Sequence, residues 1–140
     1  MTPEVAVRTH LIADPAVYAL VGTRIYPDEL PQSPTFPALV YFRASAMPEG
    51  LTQDSHVGPE RPRLQIDAWA TSRAQTDQVY IAVKAALHGH LWETTDGDLV
   101  LLVAHESDND IGQAPETSQE PGVPVIRRSA DYRVTFRKAG

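Results

Sequence analysis

The chain has 140 residues, a formal net charge of −6 and no cysteine. That is about one domain's worth of polypeptide, long enough to bury roughly two thirds of the surface its unfolded form exposes. Without thiols there are no disulfides, no thiolate chemistry and no cysteine-ligated zinc, which fits folding in a cytosolic compartment. The acidic balance argues against a nucleic-acid-binding surface, because neutralising phosphates takes clustered Lys and Arg. No apolar run approaches the 18 or so residues of a membrane span, and the N-terminus has neither the basic nor the apolar segment of an export signal.

Thr2-Pro3 is a helix start, with a capping hydroxyl before a proline at the first helical position. Val5, Thr9 and Ile12 fall on one face of that helix, with Val7 and Leu11 beside it. Asp14-Pro15 repeats the signal for a second, shorter helix that Gly22 can end. Arg24-Ile25-Tyr26 is a short extended piece stopped by Pro27. From Pro27 to Pro37 the chain holds four prolines, which remove donors and favour extended geometry, so this reads as a connector without regular structure.

Ala38 to Ala46 alternates at period two, with Val40, Phe42 and Ala44 expected toward the core and Leu39, Tyr41 and Arg43 away from it. Met47 to Arg61 is polar and predicts a loop between two antiparallel neighbours. The next strand alternates Leu64, Ile66, Ala68 and Ala70 against Arg63, Gln65, Asp67 and Trp69. Ser72 with Gln75 reads as a capping box. It opens a helix with Val79, Val83, Ala86 and Leu87 on one face, Tyr80 at the edge, and Gly89 past its end. Asp96-Gly97-Asp98 predicts a turn. Leu99 to Ala104 is a continuously apolar strand, Asp108 to Pro121 a second polar loop. Val123 to Arg137 supplies the last strand or pair of strands, with Tyr132, Val134 and Phe136 on one face. The order predicts a single α+β domain over residues 1–140. It has a mostly antiparallel sheet of four to five strands and two or three helices packed on one face.

Chemistry-bearing patterns are sparse. There is no nucleophile elbow, no phosphate-binding glycine loop and no His-Glu-x-x-His pair. His88 and His90 diverge at a helix end and, with His105, make a poor metal set. Glu106, Asp108, Asp110 and Gly112 hint at a calcium loop, but Ile111 stands where its glycine belongs and Thr117 where its glutamate belongs, so a solvated acidic turn is expected. Asp67, opposite the core face of its strand, has no partner that would make it a general base, and a structural or interfacial carboxylate is the expected reading. No catalytic residue, cofactor or metal is predicted.

Two features point to a contact surface instead. Leu39, Tyr41 and Trp69 are expected on the sheet face away from the core, where large apolar groups mark either a docking surface or a patch covered by the chain's own loops. Charge is also segregated. Between Ala85 and Ile126 there is no Lys or Arg but eight acidic residues, Glu106, Asp108 and Asp110 among them; Arg127, Arg128, Arg133, Arg137 and Lys138 then follow. Such a split suggests two surfaces of opposite sign, with solvated charge of no function as the other reading, and Arg43, Arg61 and Arg63 join these groups as expected contact residues.

The ordered set Ala19-Leu20-Val21-Gly22, Arg24-Ile25-Tyr26-Pro27, Leu30-Pro31-Gln32, Pro37-Ala38-Leu39-Val40-Tyr41, Arg63 to Ala70 and Ala85-Ala86-Leu87 resembles the phage tail-completion, or tail-terminator, family of head–tail joining proteins. The resemblance covers roughly residues 11–89. It implies a non-enzymatic virion protein that forms a ring, usually of six, at the head-proximal end of the tail tube. The implied partners are further copies of the chain, the tail tube protein and the head connector; in such a ring the acidic segment Glu93–Glu120 of one subunit is expected to face the basic segment Arg127–Lys138 of the next. DNA would pass through the ring without specific binding, and no membrane would be involved. Assembly would occur in the host cytoplasm and end at the head–tail junction of the virion. A neck adaptor without the terminator role, and a small α+β ligand-binding domain or enzyme, are the alternatives that the residues leave open.

Overall fold

A computed structural model describes residues 1–47, 59–113 and 125–139, apart from the side chains of 45–47 and 109–113. Helix α1 (Pro3–Ala13) starts where Thr2 Oγ1 accepts the Val5 N–H, and α2 (Pro15–Val21) starts where Asp14 accepts from Ala16 and Val17. Gly22 ends α2 at a φ of 58°, a backbone state that side chains disfavour. Then come β1 (Ile25–Pro27), β2 (Ala38–Met47), β3 (Arg61–Ala70), α3 (Arg73–Leu87), β4 (Trp92–Glu93), β5 (Leu99–Gln113) and β6 (Ile126–Arg137). Ser72 Oγ caps α3 by accepting the Gln75 N–H at 3.2 Å.

The strands form one sheet in the order β1-β2-β3-β6-β5-β4. Among the described residues it has six strands rather than four or five, and it is mixed, because β1 runs parallel to β2 while the other pairings are antiparallel. The two extra strands are two- and three-residue edge pieces, too short to show a period. β5 also continues to Gln113, so Asp108 to Gln113 is strand and not the start of a polar loop. Alternation along β5 is blurred by three register shifts against β6, the last of them between Asp110 and Gly112. Residues 48–58 and 114–124, which hold most of both expected loops, lie outside the described residues.

All three helices contribute to a single core against one face of the sheet. Leu11, Val17, Val21, Val79, Val83 and Leu87 meet Leu64, Ile66, Val100, Val103, Tyr132 and Val134 there. α1 turns Ala6, Val7 and Leu11 inward and leaves Val5 44% exposed, whereas the expected stripe ran through Val5, Thr9 and Ile12. Glu4, Arg8, Thr9 and His10 are spread around the helix, so its period does not select a single face. Asp98, at the start of β5, accepts the Ala139 N–H at 2.7 Å, which holds its pKa below the usual carboxylate value. Its other oxygen lies 3.2 Å from the Met1 amino group. Among the described residues no helix is long and apolar enough to cross a membrane.

Candidate functional site

The register of β2 on β3 decides which face carries which side chains. Leu39 stands opposite Ala68 and Tyr41 opposite Ile66. Both therefore point toward the helices, where they are 1% and 7% exposed. The expected outward placement of Leu39 and Tyr41 is thus reversed, because β2 carries large apolar residues on both faces and period two only groups them. Arg43, on the same side, is held by Glu4 of α1 through a 2.6 Å hydrogen bond, with Glu60 3.6 Å away.

Trp69 does lie on the helix-free face, but it is covered by the chain itself. With Val40 and Val125 it forms a second small core, closed by Leu30 and Phe36 from the proline-rich connector. None of the three large apolar residues is a surface patch.

Two polar clusters remain, one on each face of the sheet. The helix-side cluster is centred on Arg128 of β6. Its Nη1 donates to Asp77 of α3 at 3.0 Å and its Nη2 to Asp108 of β5 at 3.4 Å. The guanidinium carbon lies 3.9 Å from the centroid of the Tyr80 ring. Tyr80 donates its hydroxyl to Asp108 at 2.8 Å and also lies 3.3 Å from His105 Nε2. That hydroxyl, followed by Arg128, holds the Asp108 carboxyl below its ordinary pKa, while burial raises Tyr80 and lowers His105. The His105 backbone N–H in turn donates to His88 Nδ1 at 3.0 Å. The sequence reading places Tyr80 at the edge of the α3 apolar stripe but gives neither it nor Asp77 a site role, although their spacing of three sets them side by side.

The cluster holds groups capable of proton transfer, so its free space matters. The neighbouring cavity, lined by Tyr80, Val83, Arg128 and Tyr132 among others, leaves about 10 Å3 open to the centre of a water molecule. Sites for metabolites run to roughly 300–1,000 Å3. The arrangement ties α3 to β5 and β6; it does not admit a substrate. Among the described residues no three His, Asp or Glu side chains are placed to share a metal ion. His10 instead stacks on Trp92 at 3.8 Å, and His90 lies 2.9 Å from the Ala85 carbonyl.

The helix-free cluster spans β3 and β6. Asp67, 3% exposed, accepts from Gln65 Nε2 at 2.9 Å and lies 3.8 Å from Arg127 Nη1, which makes it a buried structural carboxylate. Arg127 stands 5.1 Å over the Trp69 ring. Arg133 donates to Glu106 at 3.1 Å and to the Arg61 carbonyl at 2.9 Å. Arg63 faces Arg133 directly across the strands, a like-charge pairing that costs stability unless an anion joins it. The Nε of Arg63, the Nε of Arg127 and the Nε1 of Trp69 are buried without a hydrogen-bond acceptor. Arg137 is exposed at the end of β6.

The two charged segments therefore meet inside one subunit. Glu106 pairs with Arg133 and Asp108 with Arg128 between the paired strands β5 and β6, whereas the expectation set them between neighbouring subunits. Antiparallel pairing of β5 with β6 lays the two segments of one chain side by side, so their opposite charges meet there. The Asp110 side chain lies outside the described residues.

No curated protein matches the chain. Among solved structures it is similar to a chain from "Virion of native gene transfer agent (GTA) particle", with a TM-score of 0.65 and 19% identity over 96% of this chain and 94% of that one. At this identity the likeness establishes the fold. The sequence model of the family described as tail completion protein gp17 matches residues 5–119, which extends the resemblance through α1 and past β5. The chain belongs to this tail completion family and is a structural component of a phage-type tail.

Proposed function

We propose that the protein closes the head-proximal end of a tail tube as a ring of six, stops further tube polymerisation and presents a docking face to the head connector. Membership of the tail completion family carries this reading. The match to a virion particle chain over nearly the whole length of both supports it, since the same fold occurs in an assembled particle. The helix-free face adds a physical reason. Arg127 reaches Asp67 only at 3.8 Å and Arg63 stands opposite Arg133, and Arg61 and Arg137 lie on the same two strands. In a closed ring one surface of each subunit meets a different surface of the next, and such a cluster of guanidinium groups on one face suits carboxylates on another. A net charge of −6 suits a passage that DNA crosses without sticking.

Electron microscopy of lysates from a producer with the gene interrupted tests the reading. Tails of uncontrolled length without filled heads are expected. Normal-length tails lying free of heads would assign the protein to head–tail joining alone, as a neck adaptor. Intact particles would remove both roles and reopen the search for a small ligand.

A further inference from the structure

A guanidinium carries five N–H donors. In Arg128 one end of the fork serves Asp77, the other serves Asp108, and the plane rests on Tyr80. Its Nε is buried with no acceptor. The hydroxyl of Tyr132, the neighbour but three on β6, is likewise buried with no partner, in a residue that is 0% exposed. Both residues line the same small cavity between α3 and the sheet, whose remaining walls include Leu39, Ile66, Ala68 and Val83. The ring of Tyr132 is fully used in packing, with the His105 ring edge-on at 5.4 Å. Phenylalanine would serve that packing as well, so the hydroxyl needs a reason.

We propose that one water molecule is bound in this cavity as a fixed part of the fold, accepting the Arg128 Nε–H and bridging to the Tyr132 hydroxyl. The space open to a water centre, about 10 Å3, fits one molecule and no larger ligand. Two polar partners is the minimum that holds a buried water, and each partner would otherwise be left unsatisfied. Burial raises the Tyr132 pKa, so the hydroxyl keeps its proton and can both donate and accept. The water gives the buried Nε its acceptor, so that each of the three guanidinium nitrogens of Arg128 has one. The bridge fixes the Arg128 plane against Tyr80 independently of what the assembled protein does.

A high-resolution crystal structure of the full chain tests this. One ordered water within hydrogen-bond distance of both Arg128 Nε and Tyr132 Oη is the expected result. An empty cavity, or a water touching only one of the two, overturns it. In Tyr132→Phe the water should disappear while the Asp77 and Asp108 contacts of Arg128 persist; a water that stays shows that Arg128 holds it alone, and the bridge is wrong. Should that variant not fold, neutron diffraction of native crystals decides the matter: a water oxygen accepting from Arg128 Nε and hydrogen-bonded to Tyr132 Oη is expected, and an Nε–D without a water acceptor overturns the proposal.

Discussion

The two faces of the sheet use the same residue types to opposite ends. On the helix side, Arg128 meets two carboxylates and an aromatic face within one subunit, and the cluster joins α3 to β5 and β6. On the helix-free side, among the described residues, Arg127 has one carboxylate, at 3.8 Å, and Arg63 faces another arginine. An arginine surrounded by its own chain's acceptors stabilises the fold. An arginine loosely paired in its own chain can offer its outer nitrogens to a neighbouring subunit, as the proposed ring contact requires.

Substitutions can break this comparison, beginning with the core beneath the helices. Leu64→Ala empties a fully buried site on the helix face and should cost about 2–5 kcal/mol in chemical denaturation. A loss below about 1 kcal/mol would mean that this face is not the principal core. Arg128→Met should cost about 2 kcal/mol, because it strands Asp77 and Asp108, both partly hydrated. Arg127→Met should cost clearly less. The reverse ranking would show that the helix-free cluster, not the helix-side one, holds the subunit together.

Acid supplies a third comparison. Burial lowers the pKa of His10 and of His105 below the unfolded value of about 6.5. The unfolded chain therefore takes up protons first as pH falls, and stability present above about pH 6.5 is lost progressively below it. Melting temperature should drop between pH 7.5 and 5.5, and by less in a His105→Gln variant. A flat profile would mean that neither histidine is tied to the folded state.

The smallest effect on the subunit concerns Arg63. Arg63→Met should leave stability within about 0.5 kcal/mol of the native chain, yet reduce incorporation into particles when supplied in place of it. A large loss of stability would reveal an internal role for the guanidinium and remove it from the contact surface.

Much of this was legible beforehand. The caps at Thr2, Asp14 and Ser72, the α3 stripe and the β3 faces follow from local chemistry and period, and they stand where the sequence puts them. What failed was what depends on partners distant in the chain. Leu39 and Tyr41 are assigned to a face only once β2 is in register with β3. Trp69 is covered only because Leu30 and Phe36 return from a connector with no periodic pattern. The charged segments pair with each other because β5 runs on to Gln113, which three register shifts conceal from any alternation test.

Those register shifts also bear on how the protein behaves when crowded. Among the described residues, no strand pairs with the outer edge of β5 beyond Val100, although the turn after α3 borrows its Val103 carbonyl. A straight edge of that length would be a template on which copies could stack without limit. Here the row of backbone donors and acceptors is kinked three times and flanked by Glu106 and Asp108, while β4 is two residues long and β1 ends in Pro27. The sheet is thus poorly suited to growth by strand addition. In the proposed ring, association would fall to side chains on the faces of the sheet, where contact geometry can close and stop, while the edges resist unlimited stacking of copies.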